Sequence, residues 1–84
     1  MQPHVKIYMD YFGYGMDDII PCEVCNSKAV DIHHINGRGK GKNVIGNLMA
    51  LCREHHTMCH DCMITKEQTQ ELHDLIIKLK NINI

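Results

Sequence analysis

The chain's apolar positions fall into four groups separated by polar or glycine-rich stretches. Between residues 4 and 20, Val5, Tyr8, Met9 and Phe12 fit helical spacing, while Val5, Ile7, Met9 and Tyr11 fit strand alternation equally well. Gly13 and Gly15 would break either element, and the stretch reads as a short helix ending near Gly13 that packs to close a small core. From Ala29 to Ile35, Val30 and Ile32 alternate with Asp31 and His33, the pattern of a strand. Asn36 to Asn43 contains Gly37, Gly39 and Gly41 and can only be a loop. Val44 to Leu51 is apolar apart from Gly46 and Asn47, and predicts a short strand or turn leading into a helix that begins near Leu51. Thr65 and Gln68 form a capping-box pair ahead of Leu72, Leu75, Ile76 and Leu79, predicting a structural helix over about 66–80. His73, on that helix, is expected at an exposed or core-rim position rather than as a ligand.

At 84 residues this is one domain, with an N-terminal packing segment (4–20), a chemical core (22–60) and the C-terminal helix. Domains this small often need a metal or disulfides for stability. With no Trp and one Phe, the core must be built from aliphatics, Met and a few tyrosines, which strengthens that need. Five cysteines, an odd number, and no apolar leader after Met1 argue against a secreted disulfide scaffold. The expectation is a soluble, cytoplasmic chain with no membrane association, whose thiols remain free for zinc. A net charge of −1 gives no bulk electrostatic footprint for nucleic acid. Bound cations would nevertheless add positive charge locally where a phosphate sits.

The candidate chemistry lies in three places. Cys22-Glu23-Val24-Cys25 is a knuckle whose spacing lets two thiolates face one tetrahedral ion. The adjacent His33 and His34 must point to opposite faces of a strand. Further on, a helix would carry Cys52 and His55 on one face, three residues apart, and His56 and His60 on another, four apart. A structural zinc takes four protein ligands, whereas a catalytic ion keeps open positions. Counting therefore assigns Cys22, Cys25, Cys52 and His55 to a closed zinc site. His33, His56 and His60 are left for an open one, with His34 as a free imidazole beside it. An all-thiolate set of Cys22, Cys25, Cys59 and Cys62 is the rival partition; under the first assignment Cys59 and Cys62 are buried or free thiols.

These residues resemble the HNH, or ββα-metal (His-Me finger), endonucleases. The likeness is carried by the Cys22/Cys25 knuckle, His33-His34-Ile35, Asn47 and Leu51-Cys52-Arg53-Glu54-His55-His56. It implies an α+β fold with a structural zinc knuckle and flanking helices. It also implies His34 as general base, His33, His56 and His60 as ligands of a catalytic ion, and Asn47 as the residue holding the loop and orienting the base. His55 departs from the pattern by standing where the family usually has a second cysteine. The short length is similar to that of stand-alone nucleases of phages or mobile elements.

The expected activity is hydrolysis of DNA phosphodiester bonds, with double-stranded DNA as the partner and monomer or homodimer left open. Arg38, Lys40, Lys42 and Arg53 would hold flanking phosphates. Besides the structural Zn2+, one divalent ion is expected; imidazole ligands favour Mn, Ni, Zn or Co over Mg. The alternative is a non-catalytic zinc module for DNA or protein, which needs only the four knuckle ligands. A thiol redox role for Cys22 and Cys25 lacks the βαβ setting such motifs occupy.

Overall fold

The computed structural model describes residues 2–82. In chain order they form α1 (Pro3–Phe12), β1 (Asp31–His34), β2 (Leu48–Leu51), α2 (Arg53–His60) and α3 (Lys66–Asn81), with a single 3-10 turn at Ile45–Asn47 ahead of β2. This is a small α+β domain built on a two-stranded antiparallel sheet.

Pro3 occupies the first turn of α1, where its missing N–H costs nothing, and Gly13 ends the helix in the left-handed region at φ 76°. Helical geometry thus wins over strand alternation, and it turns His4, Tyr8 and Met9 inward. The region from Gly15 to Ile20 adds no further helix or strand.

β1 covers four of the seven residues whose pattern predicted a strand, leaving out Ala29, Val30 and Ile35, and matches its partner β2, which is also four residues long. Register pairs Ile32 with Ala50 and His34 with Leu48. β2 is buried at every position, which explains its unbroken apolar run. Leu48 and Ala50 join Tyr8 and Ile32 in a cluster beneath α1. Met49 and Leu51 face the other way, packing with Cys22, Ile35 and Leu72.

The knuckle docks on this sheet through its backbone. Glu23 N–H donates to Ala50 O (2.9 Å) and Val30 N–H to Leu51 O (3.0 Å). Asn26, at φ 67°, turns the chain between the strands of a minimal bridge, Pro21 opposite Lys28. α3 begins with the capping box expected from Thr65 and Gln68.

His73 departs from expectation. It is fully buried, with Nδ1 donating to Glu23 Oε1 (2.7 Å) and Nε2 donating to the Ile45 carbonyl (2.6 Å). Both partners are acceptors only, so the ring must carry both protons. Burial pushes the His73 pKa down, but the hydrogen bond and charge of Glu23 outweigh it and hold it above the ordinary value. Glu23 Oε2 in turn accepts from Tyr8 Oη (2.6 Å) and from Ala50 N–H (3.1 Å). A single carboxylate in the knuckle therefore ties α1, β2 and α3 together.

Candidate metal centre and histidine cleft

Two local rules build the first site. The turn at Cys22–Cys25 brings both thiols to one side, and the start of α2 sets Cys52 and His55 three residues apart on one helical face. Docking of the knuckle on Ala50 and Leu51 joins the halves. One donor atom from each of Cys22, Cys25, Cys52 and His55 lies within 4.8 Å of every other.

The closest separations test the fit. Cys25 Sγ and Cys52 Sγ are 3.8 Å apart, Cys22 Sγ and His55 Nδ1 3.8 Å, and Cys52 Sγ and His55 Nδ1 3.2 Å. A tetrahedron with Zn–S bonds of about 2.3 Å has S–S edges of about 3.8 Å. The donor set is therefore close to the size that a tetrahedral ion such as zinc requires. Hydrogen bonds from the Ser27 side chain and backbone lower the Cys25 pKa to about 6. Cys52 behaves oppositely. The His55 backbone N–H favours its thiolate, but desolvation and the thiols of Cys25 and Cys22 push its pKa up. Thiols that resist joint ionisation are what a dication relieves.

The second site is a cleft of about 410 Å³ between α1, β1, α2 and the start of the glycine loop. Strand alternation divides the histidine pair as expected. His33 and Asp31 are half-buried on the α2 side, whereas His34 and Ile32 are buried beneath α1. The His33 and His56 rings lie 5.1 Å apart, and His56 Nδ1–H donates to Asp31 Oδ2 (2.8 Å). Burial, then the charges of His56, His34 and Arg38, hold His33 below the ordinary imidazole value, outweighing Asp31.

His60 is exposed at the end of α2. Among the described residues, Cys22, Cys25, Cys52 and His55 are the only donors gathered into a metal-sized group. The three imidazoles His33, His56 and His60 are not. Cys59 is half-buried and Cys62 exposed, and neither joins the group formed by Cys22 and Cys25.

His34 is buried and lines the cleft. Its Nε2 is 2.8 Å from Asn43 Oδ1, its ring is 4.6 Å from that of His4, and its Nδ1 is buried without a hydrogen-bond partner. His4 is held below the ordinary imidazole value by burial, with smaller contributions from His34 and Arg38.

Asn47 is buried and clamps the glycine loop at both ends. Its Oδ1 accepts from Asn36 N–H (2.7 Å), while its Nδ2 donates to Gly37 O (3.2 Å) and Lys42 O (2.9 Å). The direct contact with His34 belongs to Asn43 instead. Of the cations, Arg38 lines the cleft and is exposed; Lys40 and Arg53 are exposed and Lys42 half-buried.

Sequence reasoning passed over four residues here: His4, Asp31, Asn43 and Glu23. Asp31 was within reach, because strand alternation puts it on the face of His33. His4 lies four residues before Tyr8 and shares its helical face. No spacing rule points to Asn43 or to the Glu23–His73 pair. No family model, curated protein or solved structure matches the chain.

Proposed function

We propose that this chain is a metal-dependent endonuclease of the HNH type, hydrolysing DNA phosphodiester bonds. The observation that carries the reading is His34: a buried imidazole with one ring nitrogen held and the other unpartnered, lying against His4 and lining a cleft that His33 and His56 also line. Buried polar atoms almost always find a partner, and an orphan in a cleft marks a place where a proton or water is handled.

In the proposed reaction His34 Nδ1 accepts a proton from water as that water attacks phosphorus in line. Arg38, at the rim of the cleft, holds a non-bridging phosphate oxygen, and Lys40, Lys42 and Arg53 hold flanking phosphates. Asn47 holds both ends of the loop that carries Arg38. A divalent ion drawing ligands from His33, His56 and His60 would neutralise phosphate charge. The separation of His33 and His56 suits that role; the exposed position of His60 does not, and no step is assigned through it. Asp31 accepts from His56 Nδ1–H, which leaves the Nε2 lone pair free to ligate an ion.

A zinc-binding module without catalysis is the second reading, favoured by the fact that only the Cys22/Cys25/Cys52/His55 group is gathered among the described residues. Plasmid nicking with added Mn or Ni separates the two. The wild type should nick, and His34→Ala should not while still holding one zinc. Equal nicking by both proteins, or none by the wild type, would leave the module reading standing.

A further inference from the structure

When neutral, an imidazole carries its proton on one ring nitrogen and its lone pair on the other, and a hydrogen bond at one decides the state of both. In His34 the two nitrogens are unequal. Nε2 lies 2.8 Å from Asn43 Oδ1, and Nδ1 is buried without a partner. An amide oxygen accepts and cannot donate, so this contact requires the proton on Nε2. The lone pair is then on Nδ1.

His34 is held by the sheet, and the exposed Asn43 follows an anchored stretch of the loop. His34 is paired opposite Leu48 in the sheet and lies against the His4 ring. Asn43 follows directly on Lys42, whose carbonyl is held by Asn47 Nδ2 (2.9 Å) and whose N–H donates to Gly39 O (3.1 Å). Asn47 cannot substitute for Asn43. Its oxygen is bonded to Asn36 N–H, and its two amide hydrogens are committed to Gly37 O and Lys42 O.

We infer that Asn43 is a positioning residue that selects the Nε2–H tautomer of His34 and so presents the Nδ1 lone pair as the proton acceptor. For turnover this rests on the reading of His34 as general base; the tautomer itself does not. In the step it serves, a water proton moves to Nδ1 as the water oxygen bonds to phosphorus and the P–O3′ bond breaks. The leaving oxygen takes a proton from solvent, and the imidazolium later returns its Nδ1 proton to water. Nε2–H stays on Asn43 Oδ1 throughout.

Long-range proton–nitrogen NMR of the zinc-loaded full chain, above the ordinary imidazole pKa, reads the tautomer directly. The wild type and Asn43→Asp, which both present an acceptor oxygen, should carry the His34 proton on Nε2. Asn43→Leu should lose that preference. Nδ1–H in the wild type, or an unchanged preference in Asn43→Leu, overturns the inference. If Asn43→Leu does not fold, the wild-type and Asn43→Asp spectra decide alone, because Nδ1–H in either is fatal.

Turnover supplies the second readout. Asn43→Leu should lower kcat by about 10–100-fold, as loss of an orienting partner does. KM should stay within about two-fold. Asn43→Asp should recover most of the loss. An unchanged kcat in a variant that has lost the tautomer preference would refute the role in turnover. If the tautomers behave as stated but the wild type never nicks DNA, it is the nuclease reading that falls.

Discussion

At the N-terminal end of α2, Cys22, Cys25, Cys52 and His55 already stand within 4.8 Å of one another. One residue further along the same helix, His56 meets Asp31 and approaches His33, while His60 is exposed and joins no metal-sized group among the described residues. The two regions share a helix and differ in what they leave unfinished. In the first, every donor has a place on one tetrahedron, and the site can do nothing but hold. In the second, His34 keeps a buried nitrogen without a partner, and the cleft opens to solvent beside Arg38. A small domain needs the closed site to stand the open one, because unsatisfied groups cost stability that a core this size does not have in reserve.

Removing zinc tests the closed site and should have the largest effect. Structural zinc contributes on the order of 10–16 kcal/mol at neutral pH in comparable small domains. Chelation, or Cys52→Ala, should abolish the cooperative thermal transition followed by circular dichroism. A melt unchanged by a strong chelator would show that the site does not hold the fold.

His34→Ala should do the reverse at the open site. Nicking should drop by about 10²–10⁴-fold, the usual contribution of a general base. The bound zinc and a cooperative melt should both be retained. If His34→Ala also unfolds the chain, the division between a holding region and a working region is wrong.

The Glu23–His73 pair sharpens the comparison from inside the core, where the side chains are 4% and 0% exposed. Breaking a buried pair by removing one partner costs about 3–5 kcal/mol. Glu23→Ala should therefore show that loss in urea unfolding of the zinc-loaded chain. The pH dependence has a definite sign. Because the folded-state pKa of His73 is raised, its contribution is complete below about 6.5, the unfolded value, and is lost as pH rises through the folded value. Zinc-loaded His73→Leu should lack this alkaline loss.

Arg38→Ala should have the smallest effect. It should weaken DNA binding without changing the melt, and reduce the slope of log affinity against log salt by about 0.9, one phosphate contact's worth. An unaltered salt slope would remove Arg38 from the phosphate path.

Much of this was legible in the chain itself, and the reason is periodicity. A repeat of two residues along β1 separates His33 from His34; a repeat near 3.6 along α2 puts Cys52 with His55. The same local rules gave the capping box at Thr65 and the helix end at Gly13. Cys-x-x-Cys spacing names two ligands of the metal group before any fold is known.

Other features depend on which distant segments meet. His73 was expected at an exposed or core-rim position, yet Glu23, fifty positions earlier, makes its burial as an imidazolium possible. Asn43 reaches His34 because Asn47 pins the glycine loop, a closure that loop composition does not encode. His4 meets His34 because α1 packs on β1. Sequence by itself determined the elements and the ligands that share one element, since backbone geometry fixes those distances within a turn or a strand. Tertiary structure decided which hydrogen-bond partner each buried histidine received, because that depends on loop closure and packing between segments that no local period connects.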